Sequence, residues 1–465
     1  MRPVITAAQM RAAEQVVFDR EPDVDLMGRA AAEVARVAAA VAPEGAVLVV
    51  VGPGNNGGDG LFAAALLAEH RPVFVWLTGG SGHAAGREAA RRAGATEVDA
   101  VGALQSLADS ALVIDAVLGL GSRGGLPLAV ATFAEACAAA AVPVLSVDLP
   151  SGLVADQGLL PGASFSAAHT VTFAALKACH VQEPAASRCG RLHVADIGVD
   201  VPAATLRQAE ESDIARWWPT PGATSDKYAR GVVMLDTGSE HYPGAALLTV
   251  AGALNSGAGM ARYTGRVASG LILTRFPSTV IGEGRAQALV LGSGWGETDG
   301  AEGRVANARL HALPTVVDAD ALYSLPEERL DGWLLTPHAG ELARLLGCTR
   351  SHVEAHPLSC VRELARHSGA AVLLKGATQF VAEPSGRVTL AVAGPAWTAQ
   401  AGSGDVLAGI CGTLLAAGLP AWQAGVVGAS VQAIAAARNP GPYPPDQLAA
   451  RLPETIAALT AGAGG

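Results

Sequence analysis

The run Gly-Pro-Gly-Asn-Asn-Gly-Gly-Asp-Gly, residues 52–60, follows a β-branched stretch (AVLVVV, 46–51) and precedes a helical one. Its glycines let backbone N–H groups converge on an anion, and a helix N-terminus adds partial positive charge. Gly52, Gly54 and Gly57 satisfy the dinucleotide spacing G-x-G-x-x-G. The next strand, however, ends in WLTGG (76–80) with no acid to hold a ribose, which argues against an ordinary NAD dehydrogenase. Asn55, Asn56 and Asp59 supply polar groups that a mere turn does not need. Asp115 (VIDAVLG) and Asp148 (SVDLPSG) stand at the expected carboxyl ends of two later strands, the edge at which open α/β sheets bind ligands. A helix cap is the plain alternative for either. Residues 119–125 (GLGSRGG) offer a second loop able to cradle an anion.

The second half carries TAQAGSGDVLAG (398–409), a glycine-rich turn leading into an apolar helix. Its N–H groups could surround a transferring phosphoryl group, and Asp405 would lie near enough to take a proton from a substrate hydroxyl. No G-x-x-x-x-G-K-[ST] occurs, so this is not a P-loop enzyme. KGATQ (375–379) follows the strand-like VLLK and suits phosphate or adenine as well as it suits a surface turn. His338, in TPHAGE, carries little weight alone.

These groups need a frame of alternating strands and helices. Strands are expected at 46–51, 73–77, 111–116, 142–147, 169–174 and 192–195, with helices at 60–70 and 129–141, and Thr6 with Gln9 fits a capping box opening a leading helix. The alternation predicts a doubly wound parallel sheet. It lapses between 201 and 230, where prolines and a short charged helix (207–216) mark a boundary near 205. The expected domains are therefore 1–205 and 206–465. A second α/β region follows, with strands at 288–291, 315–317, 333–335 and 371–374.

Composition bounds the function. Of 465 residues, 50% are hydrophobic and 16% charged, with a net charge of −10. That balance excludes a disordered chain, and no basic cluster is present to meet nucleic acid. Residues 406–437 contain no charge, but Gly418 and Pro420 divide them into two helices too short to span a bilayer, so no membrane partner is expected. Six cysteines without a CxxC pair, and an N-terminus without an apolar targeting segment, point to the cytoplasm and to no zinc.

GPGNNGGDG, IDAVLGLGSRGG and VDLPSGL together resemble the N-terminal domain of the NAD(P)HX epimerase family over most of residues 1–205. The resemblance implies a Rossmann-like domain that interconverts the R and S hydrates of NADH and NADPH. It implies that Asn55, Asn56, Gly57, Gly58 and Asp59 bind the hydrate, and that Gly119, Leu120, Gly121, Ser122, Arg123, Gly124 and Gly125 hold its phosphates. Asp148 would stand at the reacting ring, either as acid/base or in an electrostatic or positioning role. A potassium ion is implied at Asn56, Asp115 and Ser151.

SDKYARG, TGSEHYPGAA, SGAGM, LGSGWG, VVDADAL, LTPHAGELARLL, VLLKGATQFVA and AGSGDVLAG, in that order, resemble the ADP-dependent NAD(P)HX dehydratase family. This implies a ribokinase-like domain that phosphorylates the S hydrate with ADP or ATP, magnesium accompanying the nucleotide, and then expels phosphate. By residue, the hydrate falls to Ala245, Gly294, His338 and Asp405, and the nucleotide to Lys375, Gly376, Ala377, Thr378, Gln379 and Gly404. Asp405 is the expected base. Three departures stand out: Ser293 replaces a commoner proline, which would loosen its loop, Val427 replaces a histidine, and Gly124 and Gly125 replace bulkier residues. Two other readings remain at this stage, a small-alcohol kinase joined to a dinucleotide sensor, and a first half that only binds or scaffolds. Homo-oligomerisation is left open.

Overall fold

The computed structural model describes residues 1–296 and 300–461. It divides into two compact units, Arg2–Ala204, and Thr205–Gly465 together with Met1. Among the described residues no helix is long and apolar enough to cross a membrane.

In the first unit the strands Thr96–Val98, Val73–Leu77, Ala46–Val51, Ser110–Ala116, Val144–Val147, His169–Phe173 and Arg191–Ala195 stand side by side in that order, all parallel. Sequence order reverses between Ala46–Val51 and Ser110–Ala116, which makes their carboxyl ends a topological switch point. The Val47 to Val51 side chains are fully buried, as a strand covered by helices on both faces requires. Thr6 accepts from the Gln9 N–H and closes the expected capping box of the helix Ala7–Arg20.

One boundary differs from expectation and matters for the site. The helix after Ala46–Val51 spans Asn55–Ala68, so Asn55 to Asp59 form its first turns instead of a preceding loop. Gly57 and Gly60 let this helix lie directly on the sheet edge. A Cβ on Gly57 would meet the Gly52 carbonyl oxygen at 2.0 Å, and one on Gly60 would meet Ala116 Cβ at 2.4 Å.

In the second unit the strands Ala371–Leu374, Leu334–Leu335, Thr315–Val317, Ala288–Leu291, Val232–Asp236, Met260–Tyr263 and Val280–Ile281 run parallel. Phe380–Ala382 and Val388–Leu390 continue the sheet antiparallel, and Leu206–Gln208 lies parallel to the latter. The short charged helix expected at 207–216 is therefore in part a strand, with the helix itself at Glu211–Trp217. The edge pairing with Val388–Leu390, distant in sequence, overrides the local helical pattern.

The uncharged segment forms the helices Ser403–Ala416 and Ala421–Arg438. The first is held tightly against Pro243–Asn255. A Cβ on Gly409 would meet the Thr249 carbonyl oxygen at 2.1 Å, and one on Gly252 the Val406 carbonyl oxygen at 2.2 Å. This close crossing fixes where Asp405 stands.

Candidate active sites

In the first unit the helix Asn55–Ala68 begins at Gly54, which is extended and gives no side-chain cap, so first-turn N–H groups remain available to an anion. Asp115 closes the strand Ser110–Ala116 in full burial. Its Oδ2 accepts from Ser146 Oγ and the Ser151 N–H, both at 2.8 Å, and its Oδ1 from the Val117 N–H at 3.3 Å. Burial outweighs these bonds and pushes its pKa up to about 6. Ser151 Oγ accepts from the Leu118 N–H at 2.8 Å and so pins the start of the 119–125 loop.

Asp148 follows the strand Val144–Val147 with a left-handed backbone (φ 64°), which non-glycine residues rarely adopt. Its Oδ1 accepts from Thr172 Oγ1 and forms an ion pair with Lys177 Nζ, each at 3.2 Å. Its Oδ2 lies 3.3 Å, and Asn56 Oδ1 2.8 Å, from the point where a Cβ on Gly119 would stand. Asn56, Gly119 and Asp148 therefore converge, and a side chain at 119 would fill the space between them. Asn56 Nδ2 is buried without a partner among the described residues. Asp59 adds a second carboxyl, raised to about 8 by burial and then by Asp148 and Glu14.

The 119–125 loop spends much of its backbone on itself. The Ser122 N–H donates to the Gly119 carbonyl, the Gly124 N–H to Ser122 Oγ, and the Gly125 N–H to the Gly152 carbonyl. Gly124 and Gly125 are both left-handed (φ 92° and 76°), and a Cβ on Gly124 would overlap Pro161 Cγ at 2.5 Å. Here the small residues follow from backbone conformation and close packing. Leu120 is tied by its carbonyl to Arg11 Nη2, while Gly121 and Arg123 face solvent.

Sequence reasoning passed over Glu14, Lys177 and His180. Lys177 is fully buried, pairs its charge with Asp148, and donates to Thr172 Oγ1 and to the carbonyls of Phe173 and Ala175. His180 accepts from the Lys177 N–H and sits 2.9 Å from the Asp148 carbonyl, with burial and Lys177 lowering its pKa to about 4. The pattern FAALKACH held a clue, since a lysine in an otherwise apolar, strand-ending run needs a buried partner.

In the second unit the site again forms at the carboxyl ends of parallel strands. Gly402 is left-handed (φ 91°) and opens the helix Ser403–Ala416 without a side-chain cap, leaving Asp405 in its first turn. Burial and then Asp318 raise Asp405 to about 7, against the opposing pull of Lys375. Asp318, after the strand Thr315–Val317, is the hub. Its Oδ1 pairs with Lys375 Nζ and accepts from Thr336 Oγ1 at 2.8 Å, and its Oδ2 accepts from Ser293 Oγ at 2.9 Å. Burial alone would lower Lys375, but Asp318 and Glu341 outweigh it and hold the ammonium above its usual range.

The expected residues gather unevenly. Gly294 is left-handed, and a Cβ there would strike Ala245 Cβ at 2.4 Å, so these two pack together as one wall. Gly404 lies beside Lys375, its missing Cβ 3.4 Å from Nζ. Lys375 thus stands with Gly404, also expected to meet the nucleotide, whereas Gly376 and Ala377 are exposed in the hairpin turn with Thr378 and Gln379. His338 caps the helix Ala339–Leu346: its Nδ1 accepts from the N–H groups of Gly340 and Glu341 at 3.0 and 3.1 Å, which leaves Nε2 on the exposed side, 3.4 Å from Glu341 Oε1.

One correction follows. Ser293 does not loosen its loop: the residue is fully buried, its hydroxyl is bonded to Asp318, and its carbonyl accepts from the Gly238 N–H at 2.7 Å. Val427 is buried in the core, where it packs as an apolar side chain. Asp318 was visible only as part of VVDADAL; its importance comes from partners 18, 25 and 57 residues away.

Comparisons with known proteins agree across both units. A family model described as NAD(P)H-hydrate dehydratase matches residues 233–457, and one described as YjeF-related protein N-terminus matches residues 23–179. The bifunctional NAD(P)H-hydrate repair enzyme Nnr of Mycobacterium leprae is 39% identical, covering 97% of this chain and 98% of its own. That of Escherichia coli is 31% identical over 87% of this chain and 81% of its own. Among solved structures, the ADP/ATP-dependent NAD(P)H-hydrate dehydratase from Bacillus subtilis, co-crystallized with ATP/Mg2+, is 24% identical with a TM-score of 0.51. It covers 55% of this chain and 100% of its own. A ribokinase-like superfamily protein from Enterococcus faecalis (20% identical, TM-score 0.50, covering 56% of this chain and 98% of its own) shares the same fold.

Proposed function

The chain belongs to the family of bifunctional NAD(P)H-hydrate repair enzymes, and on that premise we propose how its residues divide the work. Residues 1–205 epimerise the R and S hydrates, and residues 206–465 dehydrate the S form at the expense of ADP or ATP. The observation that carries the second assignment is Asp405, a carboxyl raised to about 7 in the uncapped first turn of a glycine-opened helix.

The chemistry there balances as follows. The added hydroxyl of the hydrate attacks the terminal phosphorus, Asp405 takes its proton, and the bond to the bridging phosphate oxygen breaks, so that ADP yields AMP. The carbon–oxygen bond then breaks, driven by the ring-nitrogen lone pair. Phosphate departs, and the neighbouring carbon gives up a proton to restore NAD(P)H. The first-turn N–H groups near Gly402 and Gly404, with the Lys375 ammonium behind them, stabilise the charge on the transferring group. Ala245, Gly294 and His338 border the hydrate, and Lys375, Gly376, Ala377, Thr378 and Gln379 the nucleotide. Magnesium, which keeps several waters and needs only one or two carboxylates beside substrate phosphates, would arrive on the nucleotide.

In the first unit Thr172 and Lys177 occupy Asp148 Oδ1. Oδ2, facing Gly119, is the oxygen left to exchange a proton at the hydrated carbon. Asp59, protonated at neutral pH, donates a hydrogen bond to the bound hydrate beside Asn55, Asn56, Gly57 and Gly58. Asp115 is a buried carboxylate with no cationic partner among the described residues. Ser151, from whose N–H it accepts, and the Asn56 amide that the family resemblance adds would complete an oxygen-rich set for potassium, which would neutralise it and stiffen the 119–125 loop that is to hold the hydrate's phosphates. The six cysteines are unpaired, five of them buried, which suits a reducing, cytoplasmic setting.

The test is chromatographic. Mixed R and S NADHX and NADPHX are incubated with the protein, potassium and magnesium, first without nucleotide and then with ADP or ATP. Epimer redistribution without nucleotide, then complete conversion to NAD(P)H with it, is expected. Persistence of the R form would remove the epimerase assignment and favour a first half that only binds. No change in either epimer would return the second half to small-alcohol kinase chemistry.

A further inference from the structure

Two neighbouring strands of the first unit, Val144–Val147 and His169–Phe173, end in the same unusual turn. After the first, the Leu149 N–H donates to the Val147 carbonyl at 2.8 Å around Asp148 (φ 64°). After the second, the Ala175 N–H donates to the Phe173 carbonyl at 2.6 Å around Ala174 (φ 59°). Three-residue turns of this hand are rare and strained, and such strain persists only where the surroundings over-determine it. Both turns are held from one short stretch, residues 177–180. Lys177 Nζ donates to the Phe173 and Ala175 carbonyls, on either side of Ala174. His180 meets the Asp148 carbonyl through Nε2 at 2.9 Å. A carbonyl can only accept, and Nδ1 already accepts from the Lys177 N–H at 3.0 Å, so the buried ring is neutral with its proton on Nε2.

The Asp148 N–H is tied as well, to the Val171 carbonyl at 2.7 Å. With both backbone groups of Asp148 held, the direction of its side chain is held too: Oδ1 lies with Thr172 and Lys177, and Oδ2 faces Gly119. In the backbone regions that aspartate ordinarily adopts, the Cα–Cβ bond would point elsewhere and carry Oδ2 away from that space. We propose that His180 is a positioning residue of the epimerase, a neutral strut whose Nε2–H holds the Asp148 carbonyl and so keeps the strained turn that aims Oδ2 at the hydrated carbon. The inference rests on the reading of Asp148 as the residue at the reacting ring.

The test compares the full-length wild type with His180→Gln and His180→Asn. Glutamine can set an amide N–H where Nε2 stands and so keeps the strut. Asparagine can set its amide oxygen where Nδ1 stands and keeps only the bond from Lys177. Each variant loses one buried hydrogen bond, so their Tm values should fall alike. In His180→Asn, kcat for epimerisation should fall roughly tenfold to a hundredfold, the scale of a small misplacement, with KM little changed. His180→Gln should keep most of the wild-type rate, and both variants should dehydrate purified S hydrate as the wild type does. Crystal structures of the two variants without substrate give a readout independent of turnover: Asp148 should stay left-handed in His180→Gln and leave that region in His180→Asn. Wild-type kcat in His180→Asn, or equal losses in the two variants, would overturn the proposal. So would an Asp148 that stays left-handed in His180→Asn. A wild type that converts no epimer would refute the substrate reading instead, and the Asp148 backbone in the variants would still decide the role of His180.

Discussion

Lys177 Nζ stands 3.2 Å from Asp148 Oδ1, with both side chains buried. The lysine also grips Thr172 and the carbonyls of Phe173 and Ala175, and His180 holds the Asp148 carbonyl, so a backbone in a sparsely populated conformation is tied from several sides. Removing one member of a buried pair leaves the other charge uncompensated, at a cost of about 3–5 kcal/mol. Lys177→Met should therefore lower the Tm of the first unit's transition and abolish epimerisation. Dehydration of purified S hydrate by the same protein should stay near the wild-type rate. Both rates and a calorimetric scan on one preparation check this.

Asp59 makes the first unit sensitive to alkali. Burial, then Asp148 and Glu14, raise its carboxyl to about 8, far above the value of ~4 expected in the unfolded chain. Between those values the folded state holds a proton that the unfolded state has released, so stability falls as pH rises through that window. Asp59→Asn removes the titration. Melts of the full chain from pH 5 to pH 8 should show the first unit's Tm falling in the wild type and the decline flattening in the variant. An unchanged slope would mean that Asp59 is ionised throughout.

Much of this architecture was legible because it is written in local pattern. AVLVVV and the Ala-rich helices have one comfortable periodicity, and Gly402 sits where a glycine-opened helix begins, whereas the helix start after Gly54 was hidden by asparagines and glycines that read as a turn. Asp148 and Asp405 were visible because each follows a strand or glycine turn within a few residues. Lys177, Asp318 and Ser293 were not, because their meaning lies in partners brought together by the sheet. Asp318 and Lys375 are 57 residues apart and meet only because the intervening strands align their carboxyl ends. Ser293 was misjudged for the same reason, since a serine in the place of a proline suggests slack until its buried acceptor is in view.

His338 has separable roles that a substitution pair can divide. Its Nδ1 caps a helix, a duty that asparagine also performs, whereas its Nε2 points to the open side near Glu341. His338→Asn should keep the wild-type Tm and raise KM for the hydrate several-fold. His338→Ala should do the same to KM and also cost about 0.5–2 kcal/mol through the lost cap. Equal KM in wild type and both variants would confine His338 to capping.

The dehydratase should carry the titration of Asp405 in its pH profile. A base must be ionised to accept a proton, so with its carboxyl raised to about 7 the rate should climb with pH through that value and level off above it. Lys375 opposes the rise, so Lys375→Met should shift the climb to higher pH as well as slow the plateau. Asp405→Asn removes the base, and a loss of roughly 10²–10⁴ in kcat is the usual scale for such a group. Epimerisation in the same variant should persist, because the Asp148 machinery is drawn wholly from the first unit. If Asp405→Asn retained the wild-type rate and its pH dependence, the proton would have to leave by another route, with Asp318 the next carboxylate to replace.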